Sequence, residues 1–145
     1  MVIARLVILA TFCAAAACDD DRRTPGPSNT TASIRVESFT VTATPVSGAI
    51  SYRIAFTLRE TSGTAATLSD VTITAVTAAG SASRTFTAMQ AFGTTRILGN
   101  STLAATVTFE GPPVAASQVI VRVPYVDDRG VSGTAEGATT VTTGS

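Results

Sequence analysis

The stretch ISYRIAFTLR, Ile50 to Arg59, places Ile50, Tyr52, Ile54, Phe56 and Leu58 at every second position, with Ser51, Arg53, Ala55, Thr57 and Arg59 between them. Successive side chains of an extended chain point to opposite sides, so this period of two gathers every large apolar group on one face. A helix would scatter the same residues around its axis. The stretch therefore predicts a strand with one face in a core and the other in water, as in an antiparallel sheet covered on one side.

The same alternation recurs outward from it, at Val71/Ile73/Ala75, Leu103/Ala105/Val107/Phe109 and Val119/Val121/Val123/Tyr125. In the first strand Ile34 and Val36 are out of phase with Phe39 and Val41, and a bulge or crossover near Ser38 would restore the phase. Turn residues separate the runs: Pro45-Val46-Ser47-Gly48, Thr61-Ser62-Gly63-Thr64, Ala79-Gly80-Ser81, Gly99-Asn100, Gly111-Pro112-Pro113 and Asp127-Asp128-Arg129-Gly130. The predicted strands lie near 33–43, 49–60, 68–78, 83–90, 102–110, 117–126 and 131–142, with no convincing helix. That is an all-β, seven-stranded antiparallel sandwich over residues 33–145. The apolar cluster Phe86 to Gly93 falls out of register with its neighbours. It reads as an inter-sheet strand, with Met89 and Phe92 as candidates for a partner-binding patch.

Composition fits a sheet and excludes much chemistry. Thr recurs as T-x-T, for example at Thr40/Thr42/Thr44 and Thr106/Thr108, and β-branched side chains suit a pleated surface. Ten basic residues balance ten acidic ones in a chain of 145 residues, so no basic stripe is available to neutralise phosphates, and nucleic acid is not an expected partner. Histidine is absent, which removes Ser-His-Asp and Cys-His nucleophile pairs and His-based metal sites. Lysine is absent too, and with it Schiff-base chemistry. Paired carboxylates remain, but glycoside hydrolysis also needs a cleft with stacking aromatics, and the chain has no Trp and only Tyr52 and Tyr125. No catalytic residues, cofactor or metal are expected. Asp127, Asp128, Arg129 and Gly130 form a candidate binding loop, since Asp127 and Asp128 with Glu60 or Asp70 could offer oxygens to a calcium ion. The plainer reading is a solvated turn, with Asp favouring the loop and Gly130 supplying φ > 0.

The N-terminus carries a different signal. Met1 to Arg5 bears one positive charge, Leu6 to Ala17 is almost wholly apolar, and polarity changes abruptly at Asp19. The run is shorter than the ~20 apolar residues of a membrane span. It ends in Ala14-Ala15-Ala16-Ala17-Cys18, and Leu9 to Cys18 resembles a bacterial lipobox. That resemblance implies cleavage before Cys18, residues 1–17 being a signal peptide, and acylation of the Cys18 thiol. The domain would then be held at the inner or outer membrane of a bacterial cell envelope, in the periplasm or at the cell surface. Residues 18–32, with DDDRRTPGPSNTTA, read as a flexible tether that could reach roughly 45 Å when extended. No cysteine pair is left in the mature chain, so packing and sheet hydrogen bonds must hold the fold.

The segment VIVRVPYVDDRGVSGTAEGATTVTT, Val119 to Thr143, resembles the last hairpin of a fibronectin type III or related immunoglobulin-like domain. This implies an immunoglobulin-like β-sandwich. The expected function is a membrane-anchored binding or adhesion module, monomeric in its domain, with an envelope protein as partner. The alternative is an accessory or inhibitory subunit that docks on an envelope enzyme or transporter by adding an edge strand.

Overall fold

The computed structural model describes residues 30–143; the apolar N-terminal segment, Cys18 and the tether up to residue 29 lie outside them. Ten strands and one short helix follow in order: β1 (Ile34–Val46), β2 (Ala49–Glu60), β3 (Ala66–Leu68), β4 (Val71–Thr77), β5 (Gly80–Phe86), α1 (Ala88–Phe92), β6 (Arg96–Ile97), β7 (Thr102–Gly111), β8 (Gln118–Asp127), β9 (Ser132–Thr140) and β10 (Thr142–Thr143). The all-β expectation is met, and a strand overlaps each of the seven predicted stretches, although the one expected over 83–90 ends at Phe86. The count of seven is corrected to ten among the described residues, because β3, β6 and β10 are two- or three-residue pairings too short to show a period.

The strands form two sheets. One has the order β10-β1-β2-β7; in the other, β5-β4-β8-β3-β6, with β9 on the opposite side of β8. All pairings are antiparallel except β10, which runs parallel to β1 at Thr42 and Ala43. The decisive stretch behaves as its period requires: Tyr52, Ile54, Phe56 and Leu58 are buried to 1 % exposure or less. They meet Ile73, Val119, Val121 and Val123 from the facing sheet in a single core. The expected phase shift is a register break between Val36 and Ser38, which turns Val36 on one side and Phe39 and Val41 on the other toward that core.

The region from Phe86 to Gly93 departs from expectation. The expected strand stops at Phe86, and Ala88–Phe92 is a one-turn helix, because Thr87 and Gln90 close a capping box: the Thr87 Oγ1 accepts from the Gln90 N–H and the Gln90 Oε1 accepts from the Thr87 N–H. Gly93, at φ 71°, ends it and donates its N–H to the Met89 carbonyl. Two local hydrogen bonds at one end and an αL glycine at the other stop the strand at Phe86 and turn the apolar run after it into a helix. The helix buries Ala88 and Ala91 and sets Phe92 edge-on to Phe56 at 5.6 Å, closing part of the open side between β5 and β7.

Candidate functional site

The chain enters the sandwich at one pole, where two carboxylates wait at the ends of strands from different sheets. Glu60 closes β2 and is fully buried. Its Oε1 accepts from the Ser33 N–H (3.0 Å), the Ser62 N–H (2.8 Å) and the Ser62 hydroxyl. Its Oε2 accepts from the Gly63 N–H (2.8 Å) and the Asn100 N–H (2.9 Å). A buried charge survives only when its lone pairs are occupied, and here five donors occupy them. Burial works against ionisation of Glu60, but the Ser62 hydroxyl and the N–H groups of Asn100, Ser33 and Ser62 overcome it and hold the pKa at about 2 against an ordinary 4.5.

This arrangement needs two loops to meet backbone to backbone. The loop after β2 and the loop before β7 both point N–H groups at one carboxylate, so they approach closely at Gly63 and Gly99. A Cβ on Gly99 would lie 2.2 Å from the Gly63 carbonyl oxygen, so only glycine fits there.

Asp127, at the end of β8, is 4 % exposed. Its Oδ1 accepts from the Arg129 and Val131 N–H groups, both at 2.9 Å, and its Oδ2 from the Ala32 N–H at 3.1 Å. The Val131 hydrogen bond leads the causes that depress its pKa; burial opposes the shift, while the Ala32 and Arg129 bonds and the Arg129 charge reinforce it. The incoming segment is thus gripped residue by residue: Ala32 by Asp127, Ser33 by Glu60. The Tyr125 hydroxyl donates to the Ala32 carbonyl at 3.2 Å, and the Thr64 hydroxyl donates to the Thr30 carbonyl at 2.8 Å. Residues 30–32, read as the end of a tether, are already fixed to the domain.

The loop Asp127 to Gly130 is a turn, with Gly130 at φ 82° and Asp128, Arg129 and Gly130 exposed, as expected of a solvated turn. Asp127 departs from that expectation, because its carboxylate faces inward to the incoming chain. Asp128, unlike Asp127, is surface-borne and pairs with Arg96. Asp70 is exposed, and among the described residues no group of three acids gathers as calcium would need. Met89 and Phe92 are separated by the helix: Met89 is 55 % exposed, whereas Phe92 packs into the core. Sequence reading missed Glu60 as the organiser of this pole. Its signal was position, since Glu60 continues the buried row of Tyr52, Ile54, Phe56 and Leu58 and is followed by Ser62-Gly63.

A second feature lies on the open side of the sandwich, toward the far pole. There a cleft of about 510 Å3 runs along the distal half of β7, lined by Ser51, Arg84, Phe86, Thr108, Phe109 and Glu110. β7 pairs with β2 on one side only and forms the rim of its sheet. Arg84 lies opposite Ile73 across the β4–β5 pair, so it occupies the inner face of an edge strand. Neither Arg84 nor Glu110 has an ion-pair partner among the described residues.

No protein-family model matches the chain, and no curated protein matches it. Solved structures do. The structural-genomics target SoR45 superposes with a TM-score of 0.56 at 18% identity, over 75% of this chain and 87% of that one. A Bordetella pertussis protein assigned as ApaA gives 0.51 at 14% identity, over 76% and 94%. At these identities the likeness concerns the two-sheet fold alone. No helix among the described residues is long and apolar enough to cross a membrane.

Proposed function

We propose that the chain is a lipid-anchored lipoprotein of a bacterial cell envelope, whose immunoglobulin-like domain works by binding another protein. The observation that carries this reading is the grip on Thr30 to Ser33. The segment that bears Cys18 joins the domain at one defined pole, where Glu60 and Asp127 fix the backbone. A domain held from that pole turns its far end away from the lipid, with the turns after β1 and β4 and the β7–β8 loop outermost. The residues at the gripped pole have their polar groups satisfied internally, which suits a mount better than a catalytic site. The sequence ahead of it supports the anchor: small residues lead into Cys18, and no second thiol remains for it to bond after cleavage. One acyl chain anchors marginally, whereas two or three hold a protein at the bilayer durably, at about 0.8 kcal/mol per buried methylene.

The alternative, an accessory subunit docking by strand addition, draws support from the free distal edge of β7. The two readings share the anchor and differ in the partner. Replacing Cys18 by Ser, in cells fed labelled fatty acid, tests what they share. The expected outcome is loss of the label and of cleavage before residue 18, with Cys13→Ser changing neither. A Cys18→Ser protein that still carries label, or a parent protein released without lipid, rejects the anchor.

A further inference from the structure

We propose that the distal half of β7 accepts an extended segment of a partner protein, and that Arg84 and Glu110 select one carrying an acidic residue next to a basic one. This deepens the binding reading above and rests on it.

The first premise is the edge. β7 contains no proline or lysine and a single charge, Glu110 near its end, so little in its composition discourages pairing. Its start is not free: α1 packs against β7, and Phe92 touches Phe56, which pairs with Ala105. Thr108 to Glu110 lie farther along the strand than that contact and line the cleft. An added strand would lie in that cleft, with backbone groups pairing to β7 and side chains alternating between the two faces.

The second premise is chemistry at each face. Phe109 and Phe86 belong to the inward rows of their strands, and Arg84 is two residues from Phe86 on the same row, nearer the far pole. Inward side chains of an added strand would therefore meet two aromatic rings and then a guanidinium. On the outer face the neighbour is Glu110, paired with Ser51. Adjacent residues of a strand point to opposite faces, so an acidic residue beside a basic one places a carboxylate toward Arg84 and a cation beside Glu110 at once. An apolar residue two positions from the acid would sit against Phe86 and Phe109.

The same charges argue against a second copy of the chain as occupant. Antiparallel pairing of two β7 edges through their open halves places a two-fold axis near Phe109. It would bring Arg84 toward its symmetry mate and Glu110 toward its own, like against like. A partner with the opposite charge order meets no such repulsion.

The test uses the full-length protein purified from membranes in detergent micelles and two capped hexapeptides of alternating Thr and Val that differ only in a central pair, Glu-Lys or Gln-Gln. Binding is followed by amide shifts in NMR. The Glu-Lys peptide is expected to bind about tenfold more tightly than Gln-Gln, with shifts confined to β5 and Thr108 to Gly111. Arg84→Glu and Glu110→Lys, both at exposed positions, should each abolish that advantage and leave Gln-Gln binding unchanged. Equal affinity for the two peptides, or shifts elsewhere, overturns the proposal. So does concentration-dependent dimerisation through β7 in the absence of peptide. The anchor is scored separately by the Cys18→Ser labelling, so failure at the edge and failure of the membrane reading give different results.

Discussion

The two ends of this domain treat charge in opposite ways. At the pole where the chain enters, Glu60 and Asp127 are buried, ionised and surrounded by N–H donors. Along the open side toward the far pole, Arg84 and Glu110 are exposed and have no ion-pair partner among the described residues, though they line one cleft. A buried carboxylate whose oxygens both accept from fixed N–H groups is already committed to the fold and holds the structure in place. An exposed charge beside an uncovered strand edge contributes nothing to the fold that water would not supply, and remains free to recognise something. The contrast separates the part of the molecule that fixes geometry from the part that can still form contacts.

The sharpest way to break the contrast is to disarm the pole. Glu60→Gln keeps the shape but replaces an acceptor oxygen by an amide nitrogen, which sets donor against donor where the Gly63 and Asn100 N–H groups now point. Leaving buried donors unpaired should cost about 3 kcal/mol, read as a fall of about 10 °C in melting temperature. Asp127→Asn should follow with a smaller loss, since it accepts three hydrogen bonds where Glu60 accepts five. An unchanged midpoint for Glu60→Gln in calorimetry would mean that the pole does not organise the fold.

The uneven legibility of the sequence has the same origin. The β2 row from Ile50 to Leu58 announces itself because burial of alternating side chains needs nothing beyond the strand. The phase break near Ser38 was visible for that reason too, and the register confirms it. Glu60 and Asp127 were not readable as buried, because their cost is offset by N–H groups from Ala32, Ser33 and Asn100, which only the closed fold brings close. The helix at Ala88–Phe92 is an intermediate case. Thr87 and Gln90 at capping-box spacing, with Gly93 beyond, were local signals, but the apolar run around them pointed to a strand. The cleft could not be foreseen, since which strands end up as edges depends on sheet order.

Acid should probe the pole without mutation. Both carboxylates have pKa values below their ordinary ones, so each contributes stability that is present above the unfolded value and lost as pH falls toward the folded one. For Glu60 that window runs from 4.5 down to about 2. Denaturant midpoints are expected to be flat above pH 5 or so and to fall steadily below it. In Glu60→Gln, the low-pH decline should be shallower, with Asp127 supplying what is left. A parent protein as stable at pH 2.5 as at pH 7 would show that the two carboxylates are not held ionised by the fold.

The smallest effect belongs to the charge that looks most like its neighbour in sequence. Asp128 follows Asp127 directly, yet its side chain is about half exposed and pairs with Arg96, itself nearly half exposed. An exposed pair gains little Coulomb energy in water and must order two flexible side chains, so its net contribution is at most about 0.5 kcal/mol. Asp128→Asn should therefore leave the melting temperature within a degree or two of the parent, and added salt should erase even that difference. Asp127→Asn at the adjacent position should lower it clearly at any salt concentration, because its partners are three backbone N–H groups rather than a flexible surface side chain. If the two substitutions proved equal, the pole would be a surface turn after all. The grip on Ala32 would then have to come from Tyr125 alone, with Glu60 holding Ser33 beside it.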